Sequence, residues 1–352
     1  MSLYATPKIT PERGRKLDAI DSLRAELGAR LVPSERWVQA LRRTSRAIAY
    51  ASSTRIEGFS TSPARALELL DDSAPVGDDE LAFSAYALAM QHVGAMAADS
   101  GFRWSRRAIL DLHFDVCSFQ PDARPGLVRE GPIFVTGPSG SMAFEGPPAG
   151  ELNGLLEEFI DWIGAAKSHP LVTAAMAHLN LVSIHPFEDG NGRTSRVVQS
   201  LAIALSGETA PEFGSIEEYL AAHTTDYYAA LASAQHGKFD PDRPADEWLD
   251  FCLDAHWAQI KDRLELIGAS ADRWHRLELL VEERGWPDRI VIALEQALSG
   301  RLTRSAYAQE ADIAVPTASL DLRRLVDAGL LDVAGGGRST HYVPAPPLRR
   351  TV

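Results

Sequence analysis

His185-Pro186-Phe187-Glu188-Asp189-Gly190-Asn191-Gly192-Arg193-Thr194-Ser195-Arg196 decides how this chain is read. The nearly uncharged stretch before it, from about Leu171 to Ile184, is apolar almost all round and reads as the central helix of the fold. The loop at 189–192 interrupts it, and a further helix is expected from Arg193 to Leu205. A helix that starts in such a loop points its free backbone N–H groups, and the positive end of its dipole, at whatever the loop encloses. Arg193 and Arg196 are three residues apart and share one helix face, where cations are unfavourable unless an anion compensates. Two guanidiniums and a nest of amides suit several phosphate oxygens. Asp189 brings the opposite sign, which is repulsive in a phosphate site unless a cation intervenes, so Mg²⁺ on phosphate oxygens is expected. His185 is one short loop away and can act as general base toward an incoming hydroxyl, worth on the order of 10² to 10⁴ in rate. Singly, these residues read as a capping histidine, a turn and solvated arginines; in this order they point to displacement at phosphorus.

The segment resembles the signature of the Fic family, H-P-F-x-(D/E)-G-N-G-R-x-x-R, and every specified position is present. The resemblance implies a helical core that transfers AMP from ATP to a protein hydroxyl (Tyr, Thr or Ser). By motif position it makes His185 the base and Asp189 the Mg²⁺ ligand. It puts Gly190, Asn191 and Gly192 around the α- and β-phosphates, Arg193 on the β-phosphate, Arg196 on the γ-phosphate and Phe187 in the core. Ser195 stands where many relatives carry Gly, outside the specified pattern. A β-hairpin expected over 132–146, with Ile133, Phe134, Val135 and Thr136 in its first strand, resembles the family's flap, which holds the target by strand addition. Pro125-Gly126-Leu127-Val128-Arg129 fits the family's layout ahead of that flap.

Ser53-Thr54-Arg55-Ile56-Glu57-Gly58 matches the family's inhibitory pattern (S/T)-x-x-x-E-(G/N). Its place ahead of the core resembles the class with an N-terminal inhibitory helix, here about 35–58, and implies that Glu57 pairs with Arg196 in the γ-phosphate position. A Glu-Gly at a helix end is otherwise a common C-terminus. A hundredfold block requires about 2.7 kcal/mol, at 1.36 per tenfold, and exposed pairs supply only ~0–1. A largely desolvated, fork-to-carboxylate pair is therefore expected.

Elsewhere helical periodicity prevails. Helices are expected from an N-cap at Ser34 to Gly58, over 80–96, from near Ser105, over 151–165, and over 216–235 and 245–267. Arg284-Gly285-Trp286-Pro287-Asp288 marks a boundary, after which helices at 305–312 and 316–328, a glycine turn at 335–337 and flanking apolar runs read as a winged helix-turn-helix. The fold class is mainly α: a Fic-type core with a flap, plus the winged module. Three blocks are expected: 1–104 with the inhibitory helix, 105–268 as the core, and 285–352.

Composition is that of a folded protein, with 45% hydrophobic and 24% charged residues. The net charge of −13 argues against a dominant nucleic-acid surface. In 301–352, however, seven Arg face five acids, and Arg323, Arg324 and Arg338 could meet DNA phosphates. No signal peptide and no uncharged apolar run near membrane-span length are read, so a soluble cytoplasmic protein is expected. Cys117 and Cys252 are expected as buried, unpaired thiols. ATP and a target protein, including the chain itself, are the expected partners, with DNA and homo-oligomers open. The rival readings are a DNA-binding regulator using the core as a nucleotide sensor, and a Fic enzyme with another group transfer or AMP removal.

Overall fold

The computed structural model describes residues 3–31, 36–71, 73–136, 142–207, 211–300, 302–337 and 340–351. Ser34, the hairpin tip 137–141, Arg301 and Arg338 lie outside the described residues. Helices α1 (Pro11–Arg30), α2 (Arg36–Ile56), α3 (Pro63–Leu70), α4 (Gly77–Ala98) and α5 (Arg106–Cys117) precede strands β1 (Phe134–Thr136) and β2 (Met142–Glu145). Then come α6 (Leu152–Ala165), α7 (Pro170–Ile184), α8 (Asn191–Ala204), α9 (Pro211–Gly214), α10 (Glu217–Ala222), α11 (Thr224–Gln235) and α12 (Asp246–Glu283). The chain closes with α13 (Ile290–Ser299), α14 (Arg304–Glu310), α15 (Val315–Asp327), β3 (Leu331–Ala334), β4 (His341–Pro344) and α16 (Pro346–Thr351).

Contacts divide the chain into two units, not three consecutive blocks. One comprises Met1–Gly28, Ile48–Thr61 and Pro75–Asp262, the other Ala29–Ala47, Ser62–Ala74 and Arg263–Val352. The N-terminal hundred residues are thus shared between both, because α2 and its neighbours bury apolar side chains in each.

In the first unit α7 is the axis. Every residue from Leu171 to Ile184 except Thr173 is buried, as its all-round apolar sequence requires. Val172, Met176 and Leu179 share a core with Tyr227 of α11 and Trp248, Leu249 and Leu253 of α12. Burying each such side chain contributes roughly 1.5–3 kcal/mol. Helix α4 corrects one expectation, since Leu81 to Ala98 contains no Asp, Glu, Lys or Arg and the helix is long and apolar enough, by length and composition, to cross a membrane. Here its alanines allow close packing, with Ala82, Phe83, Ala85, Tyr86 and Ala89 buried and α5 and α8 as neighbours.

In the second unit Leu277 and Val281 of α12, Leu294 of α13, Tyr307, Leu322, Leu325 and Leu331 form one core, with Trp37 of α2 against it. Helices α14 and α15 precede an antiparallel β3–β4 hairpin paired Leu331↔Pro344 to Ala334↔His341. Asp321 of α15 points inward and accepts from Arg289 Nε at 2.7 Å and Tyr307 Oη at 3.0 Å. Outward, α15 exposes Arg323 and Arg324 but also Val315 and Leu320.

Candidate functional site

Helix α7 stops at His185, whose backbone turns left-handed at φ 48° and ψ 57°. For a residue with a Cβ that costs roughly 1–2 kcal/mol, so its neighbours must hold it. Its N–H donates to the Leu181 carbonyl at 3.1 Å, and its own carbonyl accepts from Arg129 Nε at 2.7 Å. The ring is oriented by Nδ1, 2.9 Å from the Val182 carbonyl. A carbonyl only accepts, so Nδ1 carries the proton and Nε2 keeps its lone pair. Burial, with the Arg129 charge nearby, pushes the imidazole down to about 4, against the opposing Val182 bond. His185 is therefore neutral at pH 7.

The following loop is held by its own side chains. Asn191 Oδ1 accepts the Phe187 N–H at 3.0 Å and its Nδ2 donates to the Phe187 carbonyl at 2.9 Å. This corrects part of the expected phosphate cradle: the Asn191 amide is committed to the loop, and what it offers an anion is its backbone N–H. Phe187 is fully buried and stacks on His113, centroids 3.6 Å apart. Gly190 takes φ 75°, and a Cβ there would collide with Cys117 Sγ. Helix α8 then begins at Asn191, and its first intrahelical bond is Thr194 N–H to the Gly190 carbonyl at 2.9 Å. The N–H groups of Asn191, Gly192 and Arg193 precede that bond and form the open end of the nest.

Asp189 is the exposed member, its side chain 54% accessible. Its Oδ1 accepts the Gly190 N–H at 2.6 Å, and Oδ2 lies 3.4 Å from Gln120 Nε2 and 3.6 Å from Arg193 Nη2. No group of three or more His, Cys, Asp or Glu able to cage a metal occurs among the described residues. A single carboxylate at an anion nest nevertheless fits Mg²⁺, which binds through one or two carboxylates plus phosphates.

The two arginines of the motif diverge. Arg193 donates to Gln120 Oε1 at 2.9 Å and lies 5.3 and 5.7 Å from the rings of Phe59 and Phe119. Arg196 donates through Nε to Ser53 Oγ at 2.8 Å, and through Nη2 to the Ser53 carbonyl at 3.0 Å and Glu57 Oε1 at 2.8 Å. The Glu57 carboxylate also lies over Gly192, where an added Cβ would come within 2.5 Å of Oε1. A negative oxygen thus sits at the first turn of α8. The expected fork-to-carboxylate pair is not formed: one Nη2–Oε1 contact joins them, because Ser53 occupies the rest of that guanidinium edge. The Arg196 side chain is 1% exposed and that of Glu57 25%, so the pair is desolvated mainly on the arginine side. Gly58, φ 92°, ends α2, with Phe59 N–H on the Thr54 carbonyl and Gly58 N–H on that of Arg55, a Schellman turn. The Glu-Gly pair is both helix stop and counter-ion.

β1 and β2 pair antiparallel, Phe134↔Glu145 and Val135↔Phe144. Ile133, expected in the first strand, lies just outside it but accepts the Gly146 N–H at 3.2 Å. Glu145 gives its N–H to Gly237 and accepts from Phe239, covering the outer edge of β2. Phe134, opposite Glu145, therefore turns its N–H and C=O to the other edge, where no partner occurs among the described residues. Phe144 lies 6.1 Å, centroid to centroid, from the His185 ring. Arg129, Gln120, Phe59 and Phe119 were not singled out by sequence for these roles; only the 125–129 segment pointed to one of them, Arg129.

Residues 103–203 match the Fic/DOC family. Among curated proteins, the protein adenylyltransferase Fic of Drosophila willistoni is 30% identical over 203 residues, 55% of this chain and 39% of that protein. That of Culex quinquefasciatus is 28% identical over 201 residues, 55% and 37%. The chain spans about two fifths of the length of these relatives. A Fic family protein from Desulfovibrio desulfuricans G20 superposes with a TM-score of 0.60 at 19% identity, covering 97% of this chain and 98% of that one. Fic-1 from C. elegans, residues 134–508, gives 0.56 at 21%, covering 73% of each. The match to the Fic/DOC family thus covers residues 103–203, and the chain shares the fold of these structures.

Proposed function

We propose that the protein is an autoinhibited adenylyltransferase that moves AMP from ATP to a hydroxyl of a protein. The observation that carries this reading is a neutral His185, Nε2 free, beside a nest of unpaired helix N–H groups whose Arg196 is held by Glu57. The acceptor proton passes to Nε2 as the hydroxyl oxygen bonds to the α-phosphorus of ATP. The bond from that phosphorus to the bridging oxygen breaks, and pyrophosphate leaves. The amides of 191–193 and Arg193 orient the phosphates, while Arg196 takes the γ-phosphate once Glu57 withdraws. Asp189 would hold Mg²⁺, which supplies charge neutralisation on the phosphates when bound. The open edge of β1 presents the target strand by backbone bonding. The curated relatives carry the name of this activity, which supports the reading. In the second unit, apolar Val315 and Leu320 interleave with the arginines of α15, and Arg324 lies 3.8 Å from Asp321; this disfavours DNA binding as the main role.

Incubation with labelled ATP and Mg²⁺, read by mass spectrometry, tests this. Glu57→Gly is expected to raise AMP attachment roughly 10- to 100-fold, the worth of a charge-assisted contact of ~1.5–3 kcal/mol, and His185→Ala to abolish it. Equal attachment by wild type and Glu57→Gly at all ATP concentrations would remove the brake.

A further inference from the structure

Arg129 is 2% exposed, and among the described residues it has no carboxylate within ion-pair distance. Each nitrogen of its guanidinium instead reaches a different backbone carbonyl: Nε that of His185 at 2.7 Å, Nη1 that of Gly131 at 2.6 Å, Nη2 that of Pro147 at 2.6 Å. Its own N–H adds a fourth tie, to the Pro186 carbonyl at 2.9 Å. Gly131 and Pro147 are the two feet of the hairpin; His185 and Pro186 open the catalytic loop. A buried guanidinium is expensive unless its donors are all met, so this one holds its acceptors in a fixed triangle. Gly146 shows independently how close the meeting is. A Cβ there would lie 2.7 Å from Ile133 Cγ2, 3.1 Å from Arg129 Nη2 and 3.5 Å from His185 Cβ.

We infer that Arg129 is a positioning residue that locks both feet of the flap to the backbone of His185, so that an acceptor hydroxyl held on β1 arrives at Nε2. This rests on the activity proposed above. It separates two functions of one site: the anion nest is held by contacts of Asn191, Gln120 and Ser53 that do not involve Arg129, whereas alignment of the acceptor runs through it. A planar fork is required, since an ammonium keeps the charge but cannot span three divergent carbonyls.

Hydrogen exchange of wild type, Arg129→Lys and Gly146→Ala tests the lock without reference to activity. Exchange is expected to accelerate tenfold or more over 131–136 and 142–147 in both variants, with α8 unchanged. Unchanged flap exchange, or equal acceleration throughout the first unit, overturns the inference; if Arg129→Lys does not fold, Gly146→Ala decides alone. In a Glu57→Gly background, AMP attachment to the protein's own hydroxyls should fall at least 30-fold. ATP affinity should stay within threefold. Parallel loss of attachment and ATP affinity, or full attachment by Arg129→Lys, overturns it. Absence of AMP attachment in Glu57→Gly itself would refute the activity, and flap exchange would still decide the lock.

Discussion

Arg196 and Arg129 are equally buried, each 2% exposed, and stand at opposite ends of the same loop, yet their charges are satisfied in opposite ways. Arg129 is met by backbone carbonyls on every nitrogen. Arg196 is met on one edge by Ser53 and Glu57, and its Nη1 is buried without a hydrogen-bond partner among the described residues. Backbone acceptors cannot leave without unfolding a turn, whereas a carboxylate at the end of a helix can be replaced by a phosphate of the same charge sign. The first arrangement suits a fixed strut and the second a switch.

Three further experiments press on that contrast. The largest effect is expected from Arg196→Met in the Glu57→Gly background, with AMP attachment falling by two to three orders of magnitude as the buried cation at the γ-phosphate position is lost. Retained attachment would mean that Arg196 serves the brake alone. Ser53→Ala should release the brake by about tenfold, short of Glu57→Gly, because it removes one charge-assisted bond to Nε. An unchanged rate would show that Ser53 holds Arg196 equally in both states, leaving Glu57 as the whole switch. The smallest effect concerns the core of the first unit, where burial pushes His178, which also feels the Arg196 charge, and His256 down to about 3. Their folded values lie below the unfolded value near 6.5, so the unfolded chain binds protons first and stability falls as pH drops from about 6.5, by at most about 1.4 kcal/mol per pH unit for each. The melting temperature should decline from pH 7 to pH 5; a flat profile would mean these imidazoles are not held neutral.

Much of the site was legible because its contacts are short in sequence. Asp189 to Gly190 and His185 to Val182 span three residues or fewer, so helix period and turn chemistry specify them. The pattern that ends in Glu57-Gly58 was legible, but not the single-point geometry of its glutamate, which depends on Ser53 meeting the same guanidinium edge. Helix α1 escaped the reading because it buries Arg13, paired with Asp246 and Asp250, and a buried cation breaks the apolar stripe by which helices are recognised. The apolar length of α4 was missed, and with it the core role of its alanines.

The sequence by itself determined that His185, Asp189, the amides of 191–193 and Arg193 come together, because these lie on one continuous stretch between two helices. Only the tertiary structure decided what packs against them. Ser53 reaches Arg196 across 143 residues, Phe59 and Phe119 flank Arg193, and Arg129 reaches His185 across 56. Such contacts follow from which buried surfaces pack together, a property of the whole core that no local spacing encodes.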